Sequence, residues 1–336
     1  MRNSPISATM QAALVHEANG AFLIAERPVP EISAGHVLVR IAASGVNPLD
    51  TKIRAGTAAH AKHPLPAILG MDLAGTVIQV GAGVTRFHVG DEVYGLVGGV
   101  GGLQGTLAEY GAVDADLLAH KPANLSMREA AALPLVSITA WEGLVDRART
   151  SAGHKVLVHG GAGGVGSAAI QIARSIGADV YTTVTPAQFD VVRSLGATPI
   201  DYTTSTPAAY VLEHTADEGF DVVYDTVGGA TLDASFQAVR RYTGHVVSAL
   251  GWGTHALAPL SFRGATYSGV FTLMPMLSGT GRSHHGEILA QITKLVEAGQ
   301  IRPVLDTQSF TLAQVEQAHA RAIGGHATGK IVVNVV

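Results

Sequence analysis

The run Val156-Leu157-Val158-His159-Gly160-Gly161-Ala162-Gly163-Gly164-Val165-Gly166 leads straight into Ser167-Ala168-Ala169-Ile170-Gln171-Ile172-Ala173. An apolar stretch feeds a glycine turn, and the turn feeds a segment with helical periodicity. That order predicts a strand, a sharp turn, and a helix folded back onto the strand. Gly161, Gly163 and Gly166 fit G-x-G-x-x-G. The first glycine permits the tight turn, the second lets a pyrophosphate approach the backbone, and the third lets the helix pack close to the strand. The N–H groups and dipole at the start of such a helix favour an anion. The turn Gly161, Ala162, Gly163, Gly164, Val165 and Gly166 therefore reads as the phosphate-binding part of a dinucleotide site. Glycine-rich loops are common in a chain with 40 glycines. The strand before and the helix after are what make this one specific.

With 336 residues the chain is long enough for two domains, each with its own core. Apolar residues make up 47% and charged residues 14%, which excludes a disordered or highly charged binding protein. The net charge is −4 with no block of like charges, so neither nucleic acid nor an anionic membrane surface is indicated. No apolar run reaches the ~20 residues needed to span a bilayer. Met1-Arg2-Asn3-Ser4-Pro5 lacks a signal-peptide pattern, and a cytoplasmic protein is expected. The absence of cysteine excludes disulfides, thiol nucleophiles and thiolate zinc sites.

Residues 10–125 read as β-rich, with short apolar runs such as Val37–Ile41 and Ala74–Val80 between Gly, Pro and Asp turns. The style changes after Lys121-Pro122. Ser126 and Glu129 form a capping box, and helices and strands alternate from there. Strands are expected at Val156–Val158, Val180–Val184, Asp221–Tyr224 and His245–Leu250. Helices are expected at Gly164–Ile176, Gln188–Leu195 and Thr231–Val239. This alternation predicts an α/β fold with a doubly wound parallel sheet. A last helix near Ile288–Ala298 and a closing strand at Lys330–Val336 return to the β-rich style. The pair His284-His285 reads as surface histidines, because adjacent residues on a helix do not share a face.

In NAD-binding units an acid about 20 residues past the first glycine holds the ribose 2′-hydroxyl. Here the second strand, Val180-Tyr181-Thr182-Thr183-Val184, ends at Thr185 without one. The missing acid permits NADPH. Thr185 can donate to a phosphate. Tyr202 offers a phenol further on, or is a tyrosine at the edge of the core.

With further stretches, these residues resemble the medium-chain dehydrogenase/reductase superfamily, most closely its zinc-independent quinone oxidoreductase branch, which includes the zeta-crystallins. The matching stretches are Gly45-Val46-Asn47-Pro48-Leu49-Asp50, Leu69-Gly70-Met71-Asp72-Leu73-Ala74-Gly75, Val89-Gly90-Asp91-Glu92-Val93-Tyr94-Gly95, Ala108-Glu109-Tyr110, Ala131-Ala132-Leu133-Pro134, Thr139-Ala140-Trp141, the glycine turn, and Ala327-Thr328-Gly329-Lys330. They span nearly the whole chain in the family's order. The resemblance implies a GroES-like domain over residues 1–125 and 274–336 and a Rossmann NADP-binding domain over residues 126–273. It implies the nicotinamide in the cleft between them, and a homodimer through the edge of the Rossmann sheet, for which Ser268–Met274 is the candidate. Zinc-dependent relatives carry a Cys and a His-Glu pair as ligands. The corresponding stretches here, Gly45-Val46-Asn47 and Gly70-Met71-Asp72, lack them, and Gly98–Gly102 occupies the region of the structural zinc lobe. No metal is expected.

The resemblance places Asn47 and Thr139 near the nicotinamide. Asn47 has a donor and an acceptor for the carboxamide or a substrate oxygen, and it reads equally as a turn residue before Pro48. Gln188 stands where many relatives have a lysine for the 2′-phosphate, so discrimination between NADPH and NADH is expected to be loose. Leu250, Gly251, Phe271 and Lys330 complete the expected cofactor contacts. Tyr267 and Phe271 read as walls of the cleft or as core. Asp50 is expected to be structural, and Lys52, at a position where several relatives have a tyrosine, to be solvated. Without metal or thiol the chemistry is direct hydride transfer from NADPH. Quinones and α,β-unsaturated carbonyls fit, because conjugation spreads the arriving electrons onto a carbonyl. A non-catalytic, crystallin-like NADPH-binding protein and an alcohol dehydrogenase with an unrecognised metal are the alternatives.

Overall fold

The computed structural model describes residues 7–325 and 327–336. The stretch Met1–Pro5 read above for a leader lies outside them. The chain divides into two compact units. The first comprises Met1–Leu135, Leu273–Ala298 and Arg302–Val336, and the second Val136–Thr272 and Gly299–Ile301.

The first unit is mainly antiparallel. Its strands are β1 (Thr9–Val15), β2 (Leu23–Pro28), β3 (His36–Gly45), β4 (Ala67–Ile68), β5 (Asp72–Val80), β6 (Glu92–Leu96), β7 (Tyr110–Asp114) and β8 (Leu118–His120). β3 is central, because Val37, Leu38, Val39, Ile41 and Ala43 are all buried. It pairs with β5 along one side, and on the other with β7 at its start and, at its end, with a strand from the far end of the chain, Val332–Asn334. The register places Gly45 opposite both Asp72 and Val332. The end of β3, the start of β5 and the segment entering the last strand therefore meet at one point.

The second unit carries β9 (Lys155–His159), β10 (Asp179–Val184), β11 (Thr198–Asp201), β12 (Val222–Asp225), β13 (His245–Ser248) and β14 (Thr266–Gly269). They form one parallel sheet in the order β11-β10-β9-β12-β13-β14. The remaining strands of the first unit are β15 (Phe310–Thr311) and β16 (Val332–Asn334). Strands buried on both faces read as continuous apolar runs, and Val156, Leu157 and Val158 are fully buried. Leu157 packs with Val223, Val246, Phe220 and Phe236 on one face. The order reverses between β9 and β12, the point at which doubly wound sheets open a crevice at their carboxyl ends.

The helix Gly164–Ile176 coincides with its expected span and ends at Gly177, whose φ of +91° supplies the left-handed cap. The Ser126–Glu129 capping box is present, with reciprocal bonds of 2.8 and 3.3 Å. Other elements depart from expectation. The segment from Gln188 is a short 3₁₀ turn, Pro186–Gln188, followed by a helix over Phe189–Ser194. β11 and the helix Pro207–Thr215 were not anticipated, since four residues that include a proline carry no strand periodicity. The late helix starts at Arg282, two turns earlier than its apolar positions indicate. The reading of His284-His285 as surface residues is half wrong. His284 faces solvent, but His285 is fully buried, because consecutive helical residues point about 100° apart.

Candidate active site

The glycine turn leaves the carboxyl end of β9 at the switch point of its sheet. Gly160 turns the chain with a φ of +75° and accepts from the Gly163 N–H at 3.0 Å. A side chain at Gly161 would strike the Thr182 hydroxyl, which is held on the Val158 carbonyl at 2.7 Å. One at Gly166 would strike the backbone of Gly160. Gly163 differs, since a Cβ there meets nothing closer than the Gly160 carbonyl at 3.3 Å. That leaves more room than at Gly161 or Gly166. Gly163 caps the helix, so Gly164, Val165 and Gly166 supply first-turn N–H groups that no intrahelical carbonyl can accept. The residues fit a dinucleotide pyrophosphate.

Around the turn, a buried network ties two further loops together. Asp225, at the end of β12, accepts from the Val227 and Gly228 N–H groups at 3.0 and 2.9 Å. The Ser248 hydroxyl donates to its other oxygen at 2.7 Å, and the Leu250 N–H donates to Ser248 at 3.1 Å. One carboxylate thus holds the loops after β12 and β13. His159 is level with Asp225 in the sheet and bonds Thr183 Oγ1 at 2.8 Å. Burial pushes its imidazole down to about 4, against the opposing pull of the Asp225 charge. Asp225, Ser248 and His159 were not singled out from sequence. The available signal was an apolar strand, Val222-Val223-Tyr224, ending in a carboxylate before Gly228-Gly229.

The expected cofactor residues take these places. Thr185 and Gln188 form a capping box, with Gln188 Oε1 3.2 Å from both the amide and hydroxyl of Thr185. Tyr202 is exposed. Gly251 abuts the Tyr267 hydroxyl, and Phe271 meets Trp252 edge-on at 6.0 Å. Tyr267 packs on Phe236. Thr139 is buried, with its hydroxyl 3.0 Å from that of Thr272, which in turn donates to Glu142 at 2.9 Å. The Tyr224 hydroxyl donates to the Thr139 carbonyl at 2.7 Å, just before a π-helical turn over Glu142–Arg147.

In the first unit, the meeting point of β3, β5 and β16 holds a buried polar cluster. Asn47 Nδ2 donates to Asp72 Oδ2 at 2.9 Å, and the Asn47 amide donates to Asp50 Oδ2 at 2.7 Å. The Lys330 ammonium donates to Asn47 Oδ1 and lies 3.2 Å from Asp72 Oδ2. The Leu135 amide donates to Asp72 Oδ1 at 2.9 Å. Lys330, expected among the cofactor contacts, has a buried ammonium that donates to Asn47 and faces Asp72. Asn47 was given the carboxamide or substrate oxygen, yet its side-chain oxygen and one N–H are already used inside the protein. Asp50 is structural, bonding the Asn47 backbone, and Lys52 is exposed. Burial, assisted by the nearby Asp72 charge, pushes the Asp50 carboxyl up to about 7.

Zinc does not fit at these positions. The oxygens of Asn47 and Asp72 already share an ammonium, and the intervening ligand position is Met71. Among the described residues no group of three His, Cys, Asp or Glu is placed to hold a metal ion.

Residues 33–123 match the model of the alcohol dehydrogenase GroES-like domain, and residues 195–333 match that of the zinc-binding dehydrogenase family. The NADPH-dependent alkenal/one oxidoreductase of Arabidopsis thaliana, a chloroplast protein, is 38% identical over 91% of this chain and 73% of its own length. A solved alcohol dehydrogenase superfamily protein from Novosphingobium aromaticivorans is 57% identical, with a TM-score of 0.96 over 98% of this chain and 100% of that one. The quinone oxidoreductase of Coxiella burnetii is 29% identical, with a TM-score of 0.82 over 98% and 100% of the two chains. With this kinship over nearly its whole length, a G-x-G-x-x-G turn between strand and helix and no zinc ligands at the catalytic positions, the chain belongs to the zinc-independent quinone and enone reductase branch of the medium-chain dehydrogenase/reductase superfamily.

Proposed function

We propose that this protein is a metal-independent reductase that uses NADPH to reduce quinones or the conjugated C=C bond of enones and enals. The observation that carries this reading is the Asn47–Asp72–Lys330 cluster, in which an internal ammonium satisfies the groups standing where zinc enzymes have ligands. An alcohol dehydrogenase stabilises an alkoxide with its metal. Without that Lewis acid, the acceptor must delocalise the incoming charge itself, as quinones and enones do. When bound, the reduced nicotinamide supplies the hydride.

The chain's own part is binding and positioning. The first-turn N–H groups of Gly164–Gly166 take the pyrophosphate, with Gly163 leaving it room. The loops after β12 and β13, tied through Asp225, are placed to flank the cofactor, with Leu250 and Gly251 on one and Phe271 nearby. Thr139, fixed through Thr272 and Glu142, is a candidate to orient the nicotinamide. The Alkenal/one oxidoreductase and quinone oxidoreductase relatives support this substrate class. To test it, purified protein is mixed with NADPH and a panel of quinones, enals and enones, and loss of reduced-nicotinamide absorbance is followed before and after exhaustive chelation. Turnover that survives chelation is expected. Tight NADPH binding with no oxidation across the panel would overturn the reading.

We also propose a homodimer through β14. This edge strand overlaps the expected Ser268–Met274 stretch, and Tyr242 and Phe262 nearby are 86% and 87% exposed. Exposed edges and aromatic patches are the surfaces that associate.

A further inference from the structure

We infer that Asp201 is a specificity-determining residue that weakens the preference for NADPH and lets the enzyme use NADH as well. The inference rests on the proposed nucleotide site. The sequence shows no acid at the end of β10, where NAD-binding sheets carry the carboxylate that holds the ribose 2′-hydroxyl. The structure supplies one from the neighbouring strand. β10 and β11 pair in parallel with Val184 opposite Asp201. Adjacent strands lie about 4.8 Å apart, so the last residue of β11 stands level with the last residue of β10, one position before Thr185.

The carboxylate is held in place. Its Oδ1 accepts from the Thr203 amide at 2.9 Å and the Thr203 hydroxyl at 2.6 Å, and its Oδ2 accepts from the Thr204 hydroxyl at 3.1 Å. These donors, those of Thr203 foremost, hold its pKa below the ordinary carboxylate value, so it is an anion at neutral pH. A carboxylate offers about four lone-pair directions. Three are used, which leaves one on Oδ2 for a ribose hydroxyl.

The surrounding loops do not cancel this charge. Between Thr185 and Thr206 the side chains charged at neutral pH are Asp190, Arg193 and Asp201. Arg193 faces Asp190 at 3.4 Å. Gln188, at the position where many relatives carry a lysine, is neutral and bonded to Thr185. A 2′-phosphate here meets hydroxyls, an amide and a fixed negative charge, whereas a 2′-hydroxyl meets an acceptor.

The test is the ratio of NADPH to NADH dissociation constants, by calorimetry or fluorescence titration. In the wild type the two are expected within about tenfold. Asp201→Asn should shift the ratio toward NADPH by about fivefold, the size of a one-charge repulsion near a solvated surface. A second measurement needs no variant. Salt screens the repulsion, so raising ionic strength should improve NADPH binding relative to NADH in the wild type. A site that held the 2′-phosphate by cations would show the opposite. The inference is overturned if the wild-type ratio moves toward NADH with salt, or if folded Asp201→Asn leaves the ratio unaltered while Gln188→Lys shifts it. Failure of the wild type to bind either dinucleotide overturns the nucleotide site itself.

Discussion

At the scale of single residues, each glycine of the turn has a distinct task. Gly161 and Gly166 are fixed by contacts inside the protein, whereas a Cβ at Gly163 meets only the Gly160 carbonyl, at 3.3 Å. Gly163→Asp should therefore fold with only a small shift of the Gly160 carbonyl, since its φ of −74° suits any residue. It places a carboxylate at the helix start, where the dipole stabilises it. The same carboxylate fills the space for the pyrophosphate and repels it. NADPH affinity is expected to fall at least a hundredfold with the melting temperature of the free protein unchanged. Wild-type affinity in the folded variant would remove the turn from the site.

Elements explain what sequence made legible and what it did not. The strand, turn and helix at 155–176 are neighbours in the chain, so spacing alone displays them. Ser126 and Glu129 are three residues apart, and their cap was equally plain. Asn47 and Lys330 bond across 283 positions, and nothing local to either residue announces the other. Lys330 was consequently read as a ligand contact, and Asn47 as a ligand contact or a turn residue. Asp201 escaped for a related reason: its significance lies in the register of two strands, and register is set by the sheet. His285 was misjudged because a helix face is defined by what packs on it. The Asp225 network also belongs to this scale, since it joins two strands to the loops that follow them. Asp225→Asn keeps the volume but puts an N–H where the network needs an acceptor. It is expected to raise Kd for NADPH roughly tenfold, through loss of charge-assisted bonds worth about 1.5–3 kcal/mol gross. Hydrogen exchange should quicken at Val227, Gly228 and Leu250 and stay unchanged in β9. Unaltered exchange and affinity would show that the loops do not depend on this carboxylate.

For the whole molecule, buried histidines set the response to acid. His159 in the second unit and His319 in the first are both pushed down to about 4 by burial. Between that value and 6.5 the unfolded chain takes up protons that the folded one refuses. Protons bound then number more in the unfolded state, so stability rises with pH across this window and is lost as pH falls. Asp50 acts in the opposite sense. It holds a proton in the folded state up to about 7, which lowers stability as pH rises from 3.8. Together these two histidines and one carboxyl contribute a loss on the order of 1–2 kcal/mol on acidification from pH 6.5 to 5. His319 lies edge-on to Phe22 at 4.7 Å, and neither ring nitrogen has a hydrogen-bond partner. His319→Leu should flatten the fall in melting temperature between pH 7 and 5. A slope identical to wild type would place the acid sensitivity elsewhere.

The register that sets Val332 opposite Gly45 also has a consequence for synthesis. The second unit is nearly contiguous in the chain, and its parallel sheet can form once residues up to Gly269 have left the ribosome. The first unit begins earlier but lacks β16 and the Lys330 ammonium until residues 330–334 emerge. Until then Asp72 lacks that ammonium, and the Ala43–Gly45 end of β3 is paired on one side only. The part made first is thus finished last, and a nascent chain stalled before Lys330 presents a complete nucleotide-binding sheet beside an unfinished one.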